Sequence, residues 1–292
     1  MKILFPKEIR SNYDGYRQLL GLYGEIKDCL ADDVVIDFQK TIWFDANLLS
    51  VLGAILNKTE ENLNKIELVN IKCGAIELLW QRNHFLSHFG GYKLPDFQES
   101  TIKYRKFKIT EEKVFKDYLD SELLSKNAMS EMTPLLRKKI NESIFEIFNN
   151  AVIHGNCKNI FSCGQYYRKH EKLDFTIVNL GTTIKANVKN YLKKKLNQNS
   201  ISWAVKEGNT TKKGNIPGGL GLSLIRSFST INQGKIQIVS ADEYLEQDES
   251  GQIRTEILQG DFPGTIVNLE FNLTDPHSYC LASEQIEPKD IF

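Results

Sequence analysis

Residues 142–155, ESIFEIFNNAVIHG, decide how the rest of the chain is read. At about 100° per residue, Ile140, Ile144, Phe145, Ile147, Phe148, Ala151 and Val152 fall on one arc. Glu142, Glu146, Asn149, Asn150 and His154 fall on the other, with Ile153 the one apolar residue among them. This spacing predicts an amphipathic helix, opened by Thr133-Pro134 as cap and first-turn proline and closed by Gly155 at a C-cap. A solvated helix face normally carries pairs of opposite charge. Here Glu146 and Asn150 stand one turn apart, and His154 follows a turn later. A carboxylate and an amide oxygen so placed can hold a water and a hard cation such as Mg2+ side by side. A capped amphipathic helix with an ordinary wet face would show the same residues, so the discrimination lies elsewhere in the chain.

Three further blocks follow in order: NLGTT at 179–183, GNTTKKGNIPGGLGLSLI at 208–225 and PGTIVNLEF at 263–271. Together with the helix they resemble the GHKL, or Bergerat-fold, ATP-binding family. That family includes histidine kinase catalytic domains and the anti-sigma-factor serine kinases, and the A-x-x-H-G ending is closest to the latter. Its blocks run E-x-x-x-N-A-x-x-H-G, D-x-G-x-G, T-T-K followed by G-x-G-L-G-L, and a late G-T before a strand. The resemblance implies Mg2+ and ATP as cofactors, with Glu146 polarising the attacking water or hydroxyl and Asn150 ligating the metal. Asn179, Gly181 and Thr265 would seat the adenine. Thr211, Lys212, Gly218, Gly219 and Gly221 would meet the phosphates, a lysine as a point charge and a glycine turn through backbone N–H groups at a helix start. His154, Leu220 and Leu222 complete the cofactor-binding set. Two residues depart from the pattern. Asn179 replaces an Asp that accepts from the adenine amino group, losing charge assistance of on the order of 1 kcal/mol. Thr183 replaces the second glycine of its block.

The alternation of LDFTIVNL at 173–180 predicts a strand with Leu173, Phe175, Ile177 and Asn179 on one side. KIQIVS and TIVNLEF predict two more in an antiparallel sheet, separated by a Gly-containing turn region at 248–260. Residues 185–214 are expected to form a lid over the phosphates, with SWAVKE as a turn or two of helix; a solvated basic loop is the alternative.

The first 105 residues read differently. VVIDF and IELVNI are short buried-strand candidates, and between them FDANLLSVLGAILNKTEENL reads as a helix capped by Asp45, with Leu48, Leu49, Leu52, Ile55 and Leu56 as its core stripe. A helix at 75–85 and an extended, turn-rich stretch at 92–104 complete a small α/β layer. VVIDFQKTIWFDANLLSVLGAIL resembles the central block of a STAS domain, the fold of anti-anti-sigma factors. Asp45, Ala46, Asn47 and Leu48 stand where many of those carry a phosphorylatable serine turn, so the resemblance implies docking or dimerisation rather than phosphoacceptance. Ser50 reads as a small helix residue. His84 and His88, though four apart, have no third ligand at a recognisable spacing, and neither do His154, Cys157, Cys163 and His170.

The 292 residues suffice for two domains. Their 37 basic and 37 acidic side chains give no bulk charge to attract nucleic acid or an anionic membrane. Five scattered cysteines suit reduced thiols, MKILFPKEIR lacks the apolar core of a secretory leader, and no run of about 18 apolar residues occurs. A cytoplasmic protein is expected. The fold class is α/β (α+β) in two domains: a STAS-like α/β layer at 1–105, a helical linker at 106–132, a Bergerat-fold sandwich with a mixed, mainly antiparallel sheet at 133–275, and a polar tail at 276–292. The function expected is an ATP-binding regulator that switches a protein interaction, with a STAS-type or other protein partner and a homodimer as possible assemblies. Alternatives are a serine/threonine kinase acting on a separate STAS protein, and a degenerate nucleotide scaffold. No histidine lies between His88 and His154, which argues against histidine-kinase autophosphorylation.

Overall fold

A computed structural model describes residues 1–71, 74–124, 132–193, 198–206, 208–209, 220–274 and 277–284; at 220–222 and 282 the backbone alone is described. The chain begins with two parallel crossovers. Strands β1 (Lys2–Leu4), β3 (Asp33–Asp37) and β5 (Lys65–Val69) form a parallel sheet in that order, joined through helices α1 (Tyr13–Ile26) and α2 (Leu49–Glu60). Two-residue strands β2 (Glu8–Ile9) and β4 (Trp43–Phe44) pair beside them. Helix α1 starts where the Asn12 side chain accepts from the Gly15 N–H. Asp45 has a different role from the cap expected of it. Its carboxylate accepts from the Ser11 N–H and from Trp43 Nε1, both at 2.7 Å, and the turn behind it, Ala46–Leu48, is 3-10 with no side-chain cap.

Helix α2 is buried on every side from Leu49 to Leu56, the pattern of a helix between two layers. The second layer is a five-stranded sheet, ordered β6-β7-β8-β10-β9 and antiparallel throughout: β6 (Thr101–Lys108), β7 (Asn159–Tyr167), β8 (Lys172–Leu180), β9 (Lys235–Gln247) and β10 (Ile253–Asn272). Strand β6 crosses the expected boundary at 105. Helix α2 comes close enough to its Tyr104 that a Cβ on Gly53 would sit 2.2 Å from the phenol oxygen. The chain is therefore a mixed α/β fold with the antiparallel sheet covered on both faces. Phe161, Val178, Val239 and Ile266 face the core shared with α1 and α2. Phe175, Ile177, Ile238 and Leu269 face a second core under α5 (Pro134–His154) and α8 (Leu220–Ile231).

Helix α3 (Ala75–Arg82) precedes β6 in the chain, with Trp80 buried in the first core. The helix expected from 106 gives way to the last residues of β6, then α4 (Glu112–Tyr118) and a π-helical turn, Leu119–Leu124. They pack Phe115, Tyr118 and Leu119 into the second core, with Phe115 stacked on Phe148 at 4.5 Å. The region expected as a turn at 248–260 closes early: Asp248 Oδ1 accepts from the Ser250 and Gln252 N–H groups at 2.9 Å, and strand resumes at Ile253 with register shifts near Phe262. The described part of the tail, residues 277–284, docks as well. The Thr133 N–H donates to Tyr279 O, the Thr133 hydroxyl donates to Glu284, and the Tyr279 ring meets Phe228 edge-on at 5.3 Å.

Beside the apolar core shared with α1 and α2, the contact between the N-terminal layer and the sheet has a polar part. Asn47 Oδ1 accepts from the Ser11 hydroxyl at 3.0 Å, its Nδ2 donates to Thr176 on β8 at 3.0 Å and to Asn268 on β10 at 3.1 Å, and Asn268 passes a bond to Gln237 on β9. Such a layer specifies one register because each member is lost if the sheet slips. Asp174 is its weak point. It is fully buried, its Oδ2 has no hydrogen-bond partner, and Lys172 lies 3.7 Å away. Burial first, then the Glu270 and Asp45 charges, push this carboxyl up to about 7 against the opposing pull of Lys172. Because the folded-state pKa lies above the ordinary 3.8, stability falls as pH rises from about 4 to about 7 and stays reduced above that. Asp174→Asn should therefore raise Tm at pH 8 and match wild type near pH 4. Equal melting at pH 8 would contradict the assignment.

Candidate functional site

The end of α5 is tied to the ends of β8 and β10 by backbone alone. Gly155 O accepts from the Thr182 N–H at 2.6 Å, and the Gly181 N–H donates to Pro263 O at 2.7 Å. Gly181 has φ +147, and a Cβ there would lie 1.9 Å from Gly155 O; a Cβ on Gly264 would lie 1.9 Å from Asn179 O. Glycine is demanded at both places. Gly155 is the C-cap of α5, as its place in the sequence suggested, with φ −76 in right-handed geometry. The Thr265–Asn179 register pair brings two polar side chains side by side on β10 and β8.

These ties frame a cavity of about 160 Å³. One wall is the polar face of α5, with Glu146, Asn150 and His154; Ile153 points away and is 61% exposed. The floor is Ile177, Ile238 and Val267, with Asn179 and Thr265 at its end. The far wall comes from α6 (Ile184–Leu192) and α7 (Ser200–Ala204), through Asn187, Val188 and Trp203, with Asn209 beyond the end of α7. An apolar floor with a few convergent amides and hydroxyls is the composition of a small-molecule site, suited to a flat ring with a polar edge.

Both wall helices are fixed by side chains of the body. Thr183 stands where a glycine was expected and is instead the cap of α6, accepting from the Ala186 N–H. Asn187 Nδ2 donates to His154 O, Lys185 pairs with Asp242 at 2.6 Å, and the Ile184 N–H donates to Ser240. Glu243 on β9 accepts from the Ser200 and Ile201 N–H groups at the start of α7, and burial raises its carboxyl above the usual range. Helix α7 begins two residues earlier than the SWAVKE segment expected for it.

Five residues singled out from the sequence, Glu146, Asn150, His154, Asn179 and Thr265, line this one cavity. Gly181 stands behind the wall and acts through its backbone. Thr211, Lys212, Gly218 and Gly219 lie outside the described residues, and Leu220, Gly221 and Leu222 form the first turn of α8. Trp203, Asn187 and Asn209 were missed. Trp203, whose ring centre is 6.0 Å from that of Tyr191, was signalled by a large aromatic inside an otherwise polar segment.

Among the described residues no group of three His, Cys, Asp or Glu could hold a metal. Glu146 and Asn150 supply too few oxygens to hold Mg2+ without help from phosphate and water, which is how that ion usually binds. The pair thus fits a cation brought with a ligand. No helix among the described residues is long and apolar enough to cross a membrane. No protein-family model matches the chain, and no curated protein does.

Gly181→Ala should cost about 2 kcal/mol or more through positive-φ strain and the collision with Gly155 O. Thermal melting checks this; an unchanged Tm would mean that the three strand and helix ends are not pinned as described.

Proposed function

We propose that the chain is an ATP-binding regulatory protein, whose cavity takes Mg-ATP and whose occupancy changes how the α6–α7 wall or the N-terminal layer meets a protein partner. One observation carries this reading: Glu146, Asn150, His154, Asn179 and Thr265, chosen from separate blocks for a nucleotide site, meet at one cavity. In this reading the antiparallel sheet with α5 and α8 is a Bergerat-fold domain, and the preceding parallel layer is a STAS-like docking domain. A cytoplasmic setting accords with both.

The roles follow from position. Asn150 offers its amide oxygen to Mg2+, which completes its shell from phosphate and water and neutralises phosphate charge. Glu146, one turn earlier on the same face, is placed to hold a water or hydroxyl by its carboxylate. Ile177, Ile238 and Val267 give the base an apolar seat, and Asn179 with Thr265 reads its edge. The wall carrying Trp203 keeps bulk water from that seat. Lys212 and the glycines at 218, 219 and 221 are assigned to the phosphates by the sequence blocks.

Calorimetric titration with ATP in the presence and absence of Mg2+ tests the proposal. Binding should require Mg2+ and weaken at least tenfold in Asn150→Ala, an effect of about 1.4 kcal/mol or more. Glu146→Ala should keep binding while losing any turnover. No binding of ATP or ADP by the wild-type chain would end this reading.

A further inference from the structure

Asn179 is 7% exposed, lines the cavity, and its NH2 has no hydrogen-bond partner among the described residues. No protein acceptor therefore fixes which end of the amide serves a ligand, and the buried NH2 lacks the acceptor that such groups normally have. Its neighbour Thr265 is constrained by a relay of hydroxyls. Ser240 Oγ accepts from the Ile184 N–H at 2.9 Å and spends its single proton on Gly264 O at 2.6 Å. The 3.0 Å contact between Ser240 and Thr265 must then use the Thr265 proton, with Ser240 as acceptor. Thr265 is left with lone pairs alone for the cavity. The edge thus presents an amide that can turn either end to a ligand beside an obligate acceptor.

We propose that this edge selects a 6-oxopurine nucleotide over adenine. The inference rests on the nucleotide reading of the cavity and refines its ligand. A 6-oxopurine offers an acceptor at O6, which the Asn179 NH2 can meet, and a donor at N1–H, which meets Thr265 Oγ1. Adenine offers the reverse, a donor at position 6 and an acceptor at position 1. Asn179 can turn its carbonyl to the 6-amino group, but Thr265 then sets lone pair against lone pair at N1. A carboxylate at 179 could accept only, and would favour adenine at position 6 alone.

The test is calorimetry on the full chain with Mg-ATP and Mg-ITP, which differ only at positions 6 and 1 of the base. Mg-ITP should bind about fivefold tighter or more, the span of one net hydrogen bond. Asn179→Asp should narrow or abolish the preference, because the carboxylate then accepts from the 6-amino group while Thr265 still accepts from N1–H. Thr265→Val, which keeps the shape but removes the acceptor, should bring the two affinities together even if the Asp variant does not fold. Mg-ITP binding no more tightly than Mg-ATP to the wild type would overturn the base assignment while leaving the nucleotide reading intact. Binding of neither would overturn both.

Discussion

The meeting of three backbone segments at the end of α5 governs the rest of the site. The Gly155 carbonyl, the Gly181 amide and the Asn179–Gly264 contact bring a helix end and two strand ends within hydrogen-bonding range. Side chains at 181 or 264 would push them apart by more than an ångström of overlap. The glycines that mark the sequence blocks therefore act first as spacers. Their absence of side chains lets Asn150 and His154 from one element share a cavity with Asn179 and Thr265 from two others.

The opposite face of the same sheet is committed to a different task. Asn47, Thr176, Asn268 and Gln237 lock the N-terminal helices onto β8, β10 and β9, and α2 fills the space between two sheets. Strand β8 carries Thr176 into that polar layer and Ile177 and Asn179 into the cavity; β10 does the same with Asn268 and Thr265. The buried, partly unpartnered Asp174 shows that this layer is not optimised for stability alone.

Helix α5 was legible in the sequence because its period, its Thr133-Pro134 start and its Gly155 end agree, and β8 because Leu173, Phe175 and Ile177 alternate. The cavity's helix wall was legible for the same reason, whereas its polar end, Asn179 and Thr265, was picked out only through the resemblance of the sequence blocks. Other features depend on partners distant in sequence. Asp45 looked like a cap, but only the fold brings the Ser11 amide and the Trp43 indole to it. Strand β6 reads as the end of one unit until β7 pairs with it, and Tyr279 reads as tail until Thr133 and Phe228 receive it. Trp203 needed Glu243, more than a helix away, to anchor its short helix over the cavity.

The central claim is that the cavity between α5 and the ends of β8 and β10 is a Mg2+-dependent nucleotide site. Amide NMR of the isotope-labelled chain, titrated with Mg2+ and a nonhydrolysable ATP analogue, tests where the ligand sits. Saturable shifts should concentrate at Asn150, His154, Gly155, Asn179 and Thr265 and spare the parallel sheet of β1, β3 and β5. Shifts confined to other surfaces, or a spectrum unchanged at saturating ligand, would contradict the account.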